Sequence, residues 1–302
     1  MYAVVLLNPI MTHMDQFPFS HIENAELVNT LLDQHSKLEH KMYLNNRINP
    51  NPSEGITRGD SLSRDILTSN DPDLNCFTDL NQSLISDCRY LLDEDSKAIS
   101  AQFKKKEDLS FMHVNVRSIS KNMDLLSLSL SNLNHTFSAI GISETWLNND
   151  NAQNYGIENY NHVYRCRDDI VGGGVSLFIN TSLEYKERLE IEKCLIFSGE
   201  SVFIETGNHT IIGCIYRPPS LSISDFNSHL AYVLDILSKE RKQCYIMGDF
   251  NINIIDSVKN KQINLFLDMM FSYCFHLVIS KPTRVTETSA TLIDNIFTNV
   301  LD

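Results

Sequence analysis

The chain has 302 residues, 42% hydrophobic and 21% charged, which is enough for one large packed domain or two ordinary ones. Its formal net charge of -13 argues against a protein that coats nucleic acid through non-specific phosphate contacts. The seven cysteines form no Cys-x-x-Cys pair, so a reduced, intracellular setting without a zinc site or disulfide framework is favoured. No apolar run approaches the ~18–20 residues of a membrane span, and the apolar start lacks a basic n-region, so neither a membrane segment nor a signal peptide is expected.

Residues 1–108 are predicted to be a partly ordered lead-in with few buried strands. The segment "SHIENAELVNTLLDQHSKLEHKM" has apolar residues at helical spacing, and Ser20 with Glu23 can form a capping box. The segment "NNRINPNPSEGITRGDSLS", rich in Asn, Pro, Gly and Ser, is typical of a flexible linker.

From Leu109 to Asp302 the pattern becomes regular, with short apolar strands alternating with amphipathic helices. Helices are predicted at "KNMDLLSLSLSNL", "SISDFNSHLAYVLDILSKE" and "KNKQINLFLDMMFSYC". Strands are predicted at "LSFMHVNV", "TFSAIGISETWL", "GGGVSLFIN", "SVFIET", "TIIGCIYRPP", "QCYIMGDFN", "HLVIS" and "ATLIDNIFTN". This alternation predicts an α/β domain with buried sheets covered by helices.

Polar residues that suit a metal or a phosphate follow strand after strand. In "CYIMGDFN", Asp249 and Asn251 are two residues apart, so on an extended chain they point to the same side. A turn is the alternative interpretation of this segment, because Gly, Asp and Asn favour turns. The other residues of this kind at strand ends are Asn115, Glu144, Tyr216, Arg217 and Asp294.

These residue types predict metal-assisted phosphodiester cleavage. Glu144 and Asp294 offer the carboxylate oxygens that Mg²⁺ prefers, with water and substrate phosphate completing its shell. Asn115 and Asn251 can orient a water molecule or a phosphate oxygen, and Tyr216 offers a hydroxyl. The ion would polarise the phosphoryl oxygen and steady the leaving oxygen.

Six motifs in order carry a resemblance to a known superfamily: "HVNVRSI" at 113–119, "ISETWL" at 142–147, "GGGVSLFI" at 172–179, "YRPP" at 216–219, "MGDFN" at 247–251 and "TLIDNIFTN" at 291–299. Over residues 109–302 the chain resembles the endonuclease/exonuclease/phosphatase superfamily. The resemblance implies a DNase I-like, four-layered α/β sandwich of two packed mixed β-sheets flanked by helices. "YRPP" and "GGGV" favour the apurinic-type endonuclease domain of non-LTR (LINE-like) retrotransposons as the nearest branch.

The resemblance implies a role for each matching residue. Glu144, helped by Asn115, would hold Mg²⁺ or Mn²⁺. Asp249 would position or deprotonate the attacking water, while Asn251 would contact the scissile phosphate.

The remaining matches are Tyr216, which would donate to the phosphate, and Asp294, which would orient the catalytic groups. The candidates for DNA contact are Arg117, Arg217, Thr283 and Arg284. DNA is thus the expected partner and the nucleus the expected place of action, although no clear targeting signal is present.

The chain departs from the family pattern at its end. The family's last motif is a Ser-Asp-His soon after the strand that holds Asp294, whereas no histidine follows His276 here. The domain is therefore expected to lack its last strand and catalytic histidine, and also the downstream reverse transcriptase of an intact element. Two alternatives stay open: an inactive relic of such a domain, or another phosphodiesterase or phosphatase of the superfamily.

Four other features have a structural and a functional interpretation each. Trp146 is predicted to pack beneath the site rather than to stack on bases, and Gly172-Gly173-Gly174 to form a tight strand entry rather than a phosphate loop. His113 is predicted to be a structural histidine rather than a ligand. Arg217 is predicted to stiffen the site edge, with DNA contact as its alternative.

Overall fold

The computed structural model describes residues 2–5, 88, 109–167, 172–257, 259–286 and 288–300. Two mixed β-sheets of five and six strands dominate this part of the chain, together with a small two-stranded ribbon. None of the helices in the described segments is long and apolar enough to cross a lipid bilayer.

The first sheet has the strand order β1-β2-β3-β5-β4. Its strands are β1 (Tyr2–Val5), β2 (Ser110–Asn115), β3 (Ala139–Ser143), β4 (Tyr160–Arg165) and β5 (Val175–Asn180). Strands β1, β2 and β3 run parallel, and β5 is antiparallel to both β3 and β4. Helix α1 (Ile119–Leu133) connects β2 to β3.

The second sheet has the strand order β10-β13-β9-β8-β7-β6. Its strands are β6 (Tyr185–Glu187), β7 (Glu200–Thr206), β8 (Ile211–Tyr216), β9 (Cys244–Asp249), β10 (His276–Leu277) and β13 (Asp294–Thr298), and the ribbon pairs β11 (Arg284–Val285) with β12 (Ala290–Thr291). Only β8 and β9 pair in parallel within this sheet. The helices of this half are α2 (Leu189–Glu192), α3 (Ile223–Glu240) and α4 (Lys261–Ser272).

Alternation along the strands divides the core into layers. Phe111 of β2 packs between the sheets against Tyr245 of β9, with ring centroids 4.4 Å apart. The next residue, Met112, faces the other way and belongs to the cluster under α1. The outer face of the second sheet is covered by α3 and α4, whose cluster includes Phe226 and Phe266. Helix, sheet, sheet and helix follow one another, so the predicted four-layered α/β sandwich is confirmed.

The helices pack as their sequence pattern predicts. In α3 the buried residues recur every three or four positions, so that one face lies on the sheet. Ser222 caps this helix by accepting a hydrogen bond from the Asp225 amide at 3.4 Å. Beneath it, Phe250 and Phe297 meet edge to face with centroids 5.2 Å apart. Full burial of each such aromatic ring contributes about 1.5–3 kcal/mol to folding.

Strand β1 lies before the predicted start of the domain at residue 109. It pairs with β2 from Tyr2↔Ser110 to Val5↔His113. Cys88 also packs against the core beneath α3 and α4. The predicted helix and linker of residues 1–108 otherwise lie outside the described residues and stay predictions.

Candidate active site

The strand-end residues singled out by the sequence meet at one end of the layer between the sheets. In the second sheet, register pairs place Tyr216 beside Asp249 and Asp249 beside Asp294, so these three form a row across β8, β9 and β13. In the first sheet, Asn115 ends β2 and Glu144 follows β3 directly. The two groups face each other across the layer.

Asn115 joins the two sheets. Its Nδ2 donates to Glu144 Oε1 at 2.8 Å and to Asp249 Oδ2 at 2.7 Å. Its Oδ1 accepts from the Arg117 amide at 3.1 Å. One amide group therefore fixes the position of two carboxylates on different sheets.

Asp249 is the most enclosed carboxylate of the site, with 0% of its surface exposed. Its Oδ1 accepts from the Asn251 amide at 2.9 Å, and Arg284 Nη2 lies 4.0 Å from its Oδ2. Burial, followed by the charge of Asp294, holds the pKa of Asp249 well above its usual range. The hydrogen bonds from Asn115 and Asn251 oppose this shift only in part.

Asp294 is held by Thr283. The Thr283 hydroxyl donates to Asp294 Oδ2 at 2.8 Å, and the Asp294 amide lies 3.3 Å from the same hydroxyl oxygen. Burial raises the pKa of Asp294 from 3.8 to about 6, although the Thr283 hydrogen bond lowers it. Thr283 is itself buried, so in this arrangement it holds Asp294 in place and does not lie at the surface where DNA would bind.

The backbone around the site is strained. Left-handed φ angles at residues other than glycine cost on the order of 1–3 kcal/mol each and tend to cluster where function requires them. Five of them occur here: Arg117 (41°), Ser118 (91°), Glu144 (52°), Trp146 (55°) and Asn251 (49°). The loops after β2 and β3 stabilise each other, because Ser118 N donates to Glu144 O at 2.8 Å and Ile119 N donates to Thr145 O at 2.9 Å.

The three glycines before β5 form a tight strand entry, as predicted. Gly172, Gly173 and Gly174 all have positive φ, and a Cβ at Gly174 would lie 2.5 Å from Thr145 Oγ1. Trp146 N donates to Gly173 O at 2.9 Å, which ties the glycines to the loop of Glu144. Only glycine fits this close approach without displacing the loop.

Arg217 serves the chain itself. Its Nε donates to Phe250 O at 2.6 Å and its Nη2 to Asn251 O at 2.7 Å. Its Nη1 donates to Pro218 O at 3.2 Å and to Leu221 O. The residue is 2% exposed, so the geometry favours the stiffening role over the DNA contact.

The other candidate residues lie either at the exposed edge of the site, which we call the rim, or close to Asp249 and Asp294. Arg117 is exposed, with Nε 3.8 Å from Glu144 Oε2, and Arg284 is partly exposed. Tyr216 is buried, and its pKa is raised by burial and then by the charges of Glu144 and Asp249. Asn251 Nδ2 donates to Arg217 O at 2.8 Å, so its side chain braces the loop after β9.

Glu200 extends the row of Tyr216, Asp249 and Asp294, although no sequence motif marks it. It opens β7 beside Tyr216, accepts from Arg167 Nε at 2.6 Å and accepts from Gly174 N at 3.1 Å. Burial raises the pKa of Glu200. Its position depends on the antiparallel register of β7 and β8, for which the sequence offers no signal.

A hard cation held at this site would have to keep much of its hydration shell. Glu144 is the metal candidate with partial solvent access, its side chain being 15% exposed. Asn115 presents its amide nitrogen to Glu144, so in this arrangement it links the two carboxylates and does not offer an oxygen ligand to a metal there. Within the described segments, no group of three or more His, Cys, Asp or Glu residues could hold a metal alone. A bound Mg²⁺ would therefore take further ligands from water and phosphate.

Comparison with known proteins finds similarity in solved structures alone, since no family model and no curated protein sequence matches the chain. The endonuclease domain of TRAS1, a telomere-specific non-LTR retrotransposon, aligns over 62% of this chain and 82% of its own, at 11% identity and a TM-score of 0.49. The 3'-5' exonuclease NExo of Neisseria meningitidis aligns over 62% and 86%, at 12% identity and 0.49. The APE2 catalytic domain of Xenopus laevis aligns over 63% and 82%, at 15% identity and 0.47. A protein of Leptotrichia buccalis described as belonging to the endonuclease/exonuclease/phosphatase family also aligns, over 64% of this chain and 88% of its own, at 13% identity and a TM-score of 0.45.

Proposed function

We propose that this chain is a Mg²⁺-dependent endonuclease that nicks DNA by hydrolysing a phosphodiester bond. The observation that carries the proposal is the bridge from Asn115 to Glu144 on one sheet and Asp249 on the other. It holds two carboxylates of different exposure at one end of the layer between the sheets. Carboxylates in different environments can take different roles in one reaction.

Asp249 is suited to accept a proton from the attacking water. Burial and the charge of Asp294 raise the pKa of Asp249, so this pKa lies closer to neutral pH than that of an ordinary aspartate. A general base works best when its pKa lies near the operating pH.

Glu144 is suited to hold the cation at the open side. A phosphodiester is an anion, and Glu144, Asp249 and Asp294 together would repel it. A bound Mg²⁺, or Mn²⁺ in its place, supplies charge neutralisation and polarises the phosphoryl oxygen. The negative charge of the site is therefore a reason to expect a metal that does not depend on the sequence resemblance.

The rim supports a nucleic-acid substrate. Arg117 and Arg284 lie beside the acidic groups and are the candidates to meet backbone phosphates. With a net charge of -13, such contacts would be local rather than spread over the whole surface. Tyr216 keeps its phenolic proton at neutral pH, as an ordinary tyrosine does, and its raised pKa reinforces this. Its hydroxyl could therefore donate a hydrogen bond to a phosphate oxygen.

The biological setting follows from the sequence resemblance. "YRPP" at 216–219 and "GGGV" at 172–175 support a target-site nickase of a non-LTR retrotransposon. In that role the chain would act on DNA in the nucleus and alongside a reverse transcriptase.

Conversion of supercoiled plasmid to open circles tests the function. We expect nicking with Mg²⁺, none with EDTA, and a loss of about 10²–10⁴-fold in Asp249→Asn, the size expected for removal of a general base. Asp235→Asn is the matched control, because Asp235 lies on α3 with its side chain 47% exposed, and it should nick like the unaltered chain.

Two results would overturn the proposal. A chain shown by circular dichroism to be folded that does not nick DNA with Mg²⁺ or Mn²⁺ would be an inactive relic. Release of phosphate from phosphomonoester or phospholipid substrates without nicking would identify another phosphatase of the superfamily.

A further inference from the structure

His113 lies within the core directly behind the candidate site. It precedes Asn115 by two residues on β2, so both side chains face the layer between the sheets. The residue is 0% exposed, and burial away from water favours the neutral imidazole over the charged one. The proposed reaction does not use His113.

Its two ring nitrogens face different partners. Nε2 lies 3.2 Å from Ser143 Oγ, at the end of the neighbouring strand β3. Nδ1 lies 3.8 Å from Asp294 Oδ1, across the layer on β13. Among the described residues, neither Nδ1 nor Asp294 Oδ1 has a hydrogen-bond partner. Buried polar atoms without partners are rare, because losing water without gaining a hydrogen bond is unfavourable.

The two neutral tautomers of the ring differ in what they place opposite Asp294. With the proton on Nε2, the lone pair of Nδ1 would face the lone pairs of the Asp294 carboxylate. With the proton on Nδ1, that N–H points at Asp294, and the Ser143 hydroxyl donates to Nε2 instead. The second arrangement satisfies both orphaned atoms after an approach of less than ~1 Å to an ordinary N–H···O distance.

We propose that His113 is a positioning residue that holds the Asp294 carboxylate through an Nδ1–H donor. Thr283 already fixes the other carboxylate oxygen, at 2.8 Å. Held from both sides, Asp294 keeps one orientation beside Asp249, its direct register partner on β9. The role in catalysis rests on the proposed function, whereas the hydrogen bond itself does not.

The first test reads the tautomer directly. In the full chain labelled with 15N-histidine, at neutral pH with EDTA, we expect His113 to carry its proton on Nδ1, with Nε2 unprotonated. The His113→Asn spectrum identifies its signals among those of the ten histidines. An Nε2–H tautomer or an imidazolium would overturn the proposal, whether or not the chain cleaves DNA.

The second test separates positioning from packing. In His113→Asn the amide nitrogen lies near the position of Nδ1 and keeps a donor toward Asp294. In His113→Gln the longer side chain places its amide nitrogen near Nε2 and loses that donor. We expect His113→Gln to lower kcat for nicking by about 10–100-fold with KM unchanged, the range for loss of a supporting hydrogen bond. His113→Asn should recover most of kcat.

His162→Gln is the matched control. His162 also pairs with a serine, with Nε2 2.8 Å from Ser176 Oγ, but it stacks on Phe178 away from the candidate site. It should nick like the unaltered chain. Equal loss of kcat in His113→Asn and His113→Gln, or a rise in KM with kcat unchanged, would contradict the positioning role. A chain without nicking activity but with an Nδ1–H tautomer would refute the proposed function and leave the hydrogen bond standing.

Discussion

Substitution of Arg217 offers a sharp test of whether this residue supports the site or contacts DNA. The guanidinium donates to four backbone carbonyl oxygens, those of Pro218, Leu221, Phe250 and Asn251. A lysine ammonium is a single point with three donors and cannot span a planar array of this width. At least two of the four hydrogen bonds should be lost in Arg217→Lys. At about 1.5–3 kcal/mol for each bond to a charged group, the chain should lose about 3–6 kcal/mol of stability.

Urea unfolding of the unaltered chain and of Arg217→Lys measures this loss. Arg241→Lys is the matched control, because Arg241 is exposed at the end of α3 and should change the unfolding midpoint little. The structural reasoning would be refuted if Arg217→Lys unfolded at the same urea concentration as the unaltered chain. Weaker DNA binding at unchanged stability would instead assign Arg217 to the DNA interface.

Two further predictions concern Asp294 and the glycines before β5. Burial raises the pKa of Asp294 from 3.8 to about 6, so ionisation of this group costs stability as the pH rises from about 4 to 6. In EDTA, Asp294→Asn should therefore resist urea better than the unaltered chain at pH 8 but not at pH 3.5, and equal midpoints at pH 8 would contradict this. Gly174→Ala should melt several degrees lower than the unaltered chain, because residue 174 has φ +83° and the added Cβ would lie 2.5 Å from Thr145 Oγ1. Gly156→Ala is the control: an added Cβ there would meet nothing within 4 Å, so this variant should melt like the unaltered chain.

The sequence predicted the elements whose pattern is local. Helix α3 was predictable because Phe226, Leu230 and Val233 repeat at helical spacing on its buried face. Strand β4 was not predicted, because only Val163 of its six residues is buried and the expected alternation is weak. Strand β1 was also missed, since its pairing with β2 joins segments more than a hundred residues apart.

The site residues also differ in whether the sequence could predict them. Asn115, Glu144 and Asp249 could be found because each lies at or directly after the end of an apolar strand. Asp294 instead begins β13, and it lies beside Asp249 because β13 runs antiparallel to β9. Glu200 could not, because its neighbour Tyr216 is fixed by the antiparallel register between β7 and β8.

The contacts of the other site residues were equally out of reach of the sequence. The orientations of Arg217 and His113 depend on carbonyl and carboxylate positions that exist only after the two sheets have packed. These are properties of tertiary structure rather than of any motif.

The bridge made by Asn115 makes the site sensitive to the thickness of the protein's middle layer. Asn115 belongs to one sheet and Asp249 to the other, so the side chains packed between the sheets set the spacing of the reacting groups. A Cβ at Gly141 would lie 2.5 Å from Met247 Sδ, so the sheets are already as close there as a glycine allows. A mutation that slightly widened this layer could leave the fold intact and still separate the two halves of the site. Evolution of such a chain would then be constrained at interior positions that no substrate ever touches.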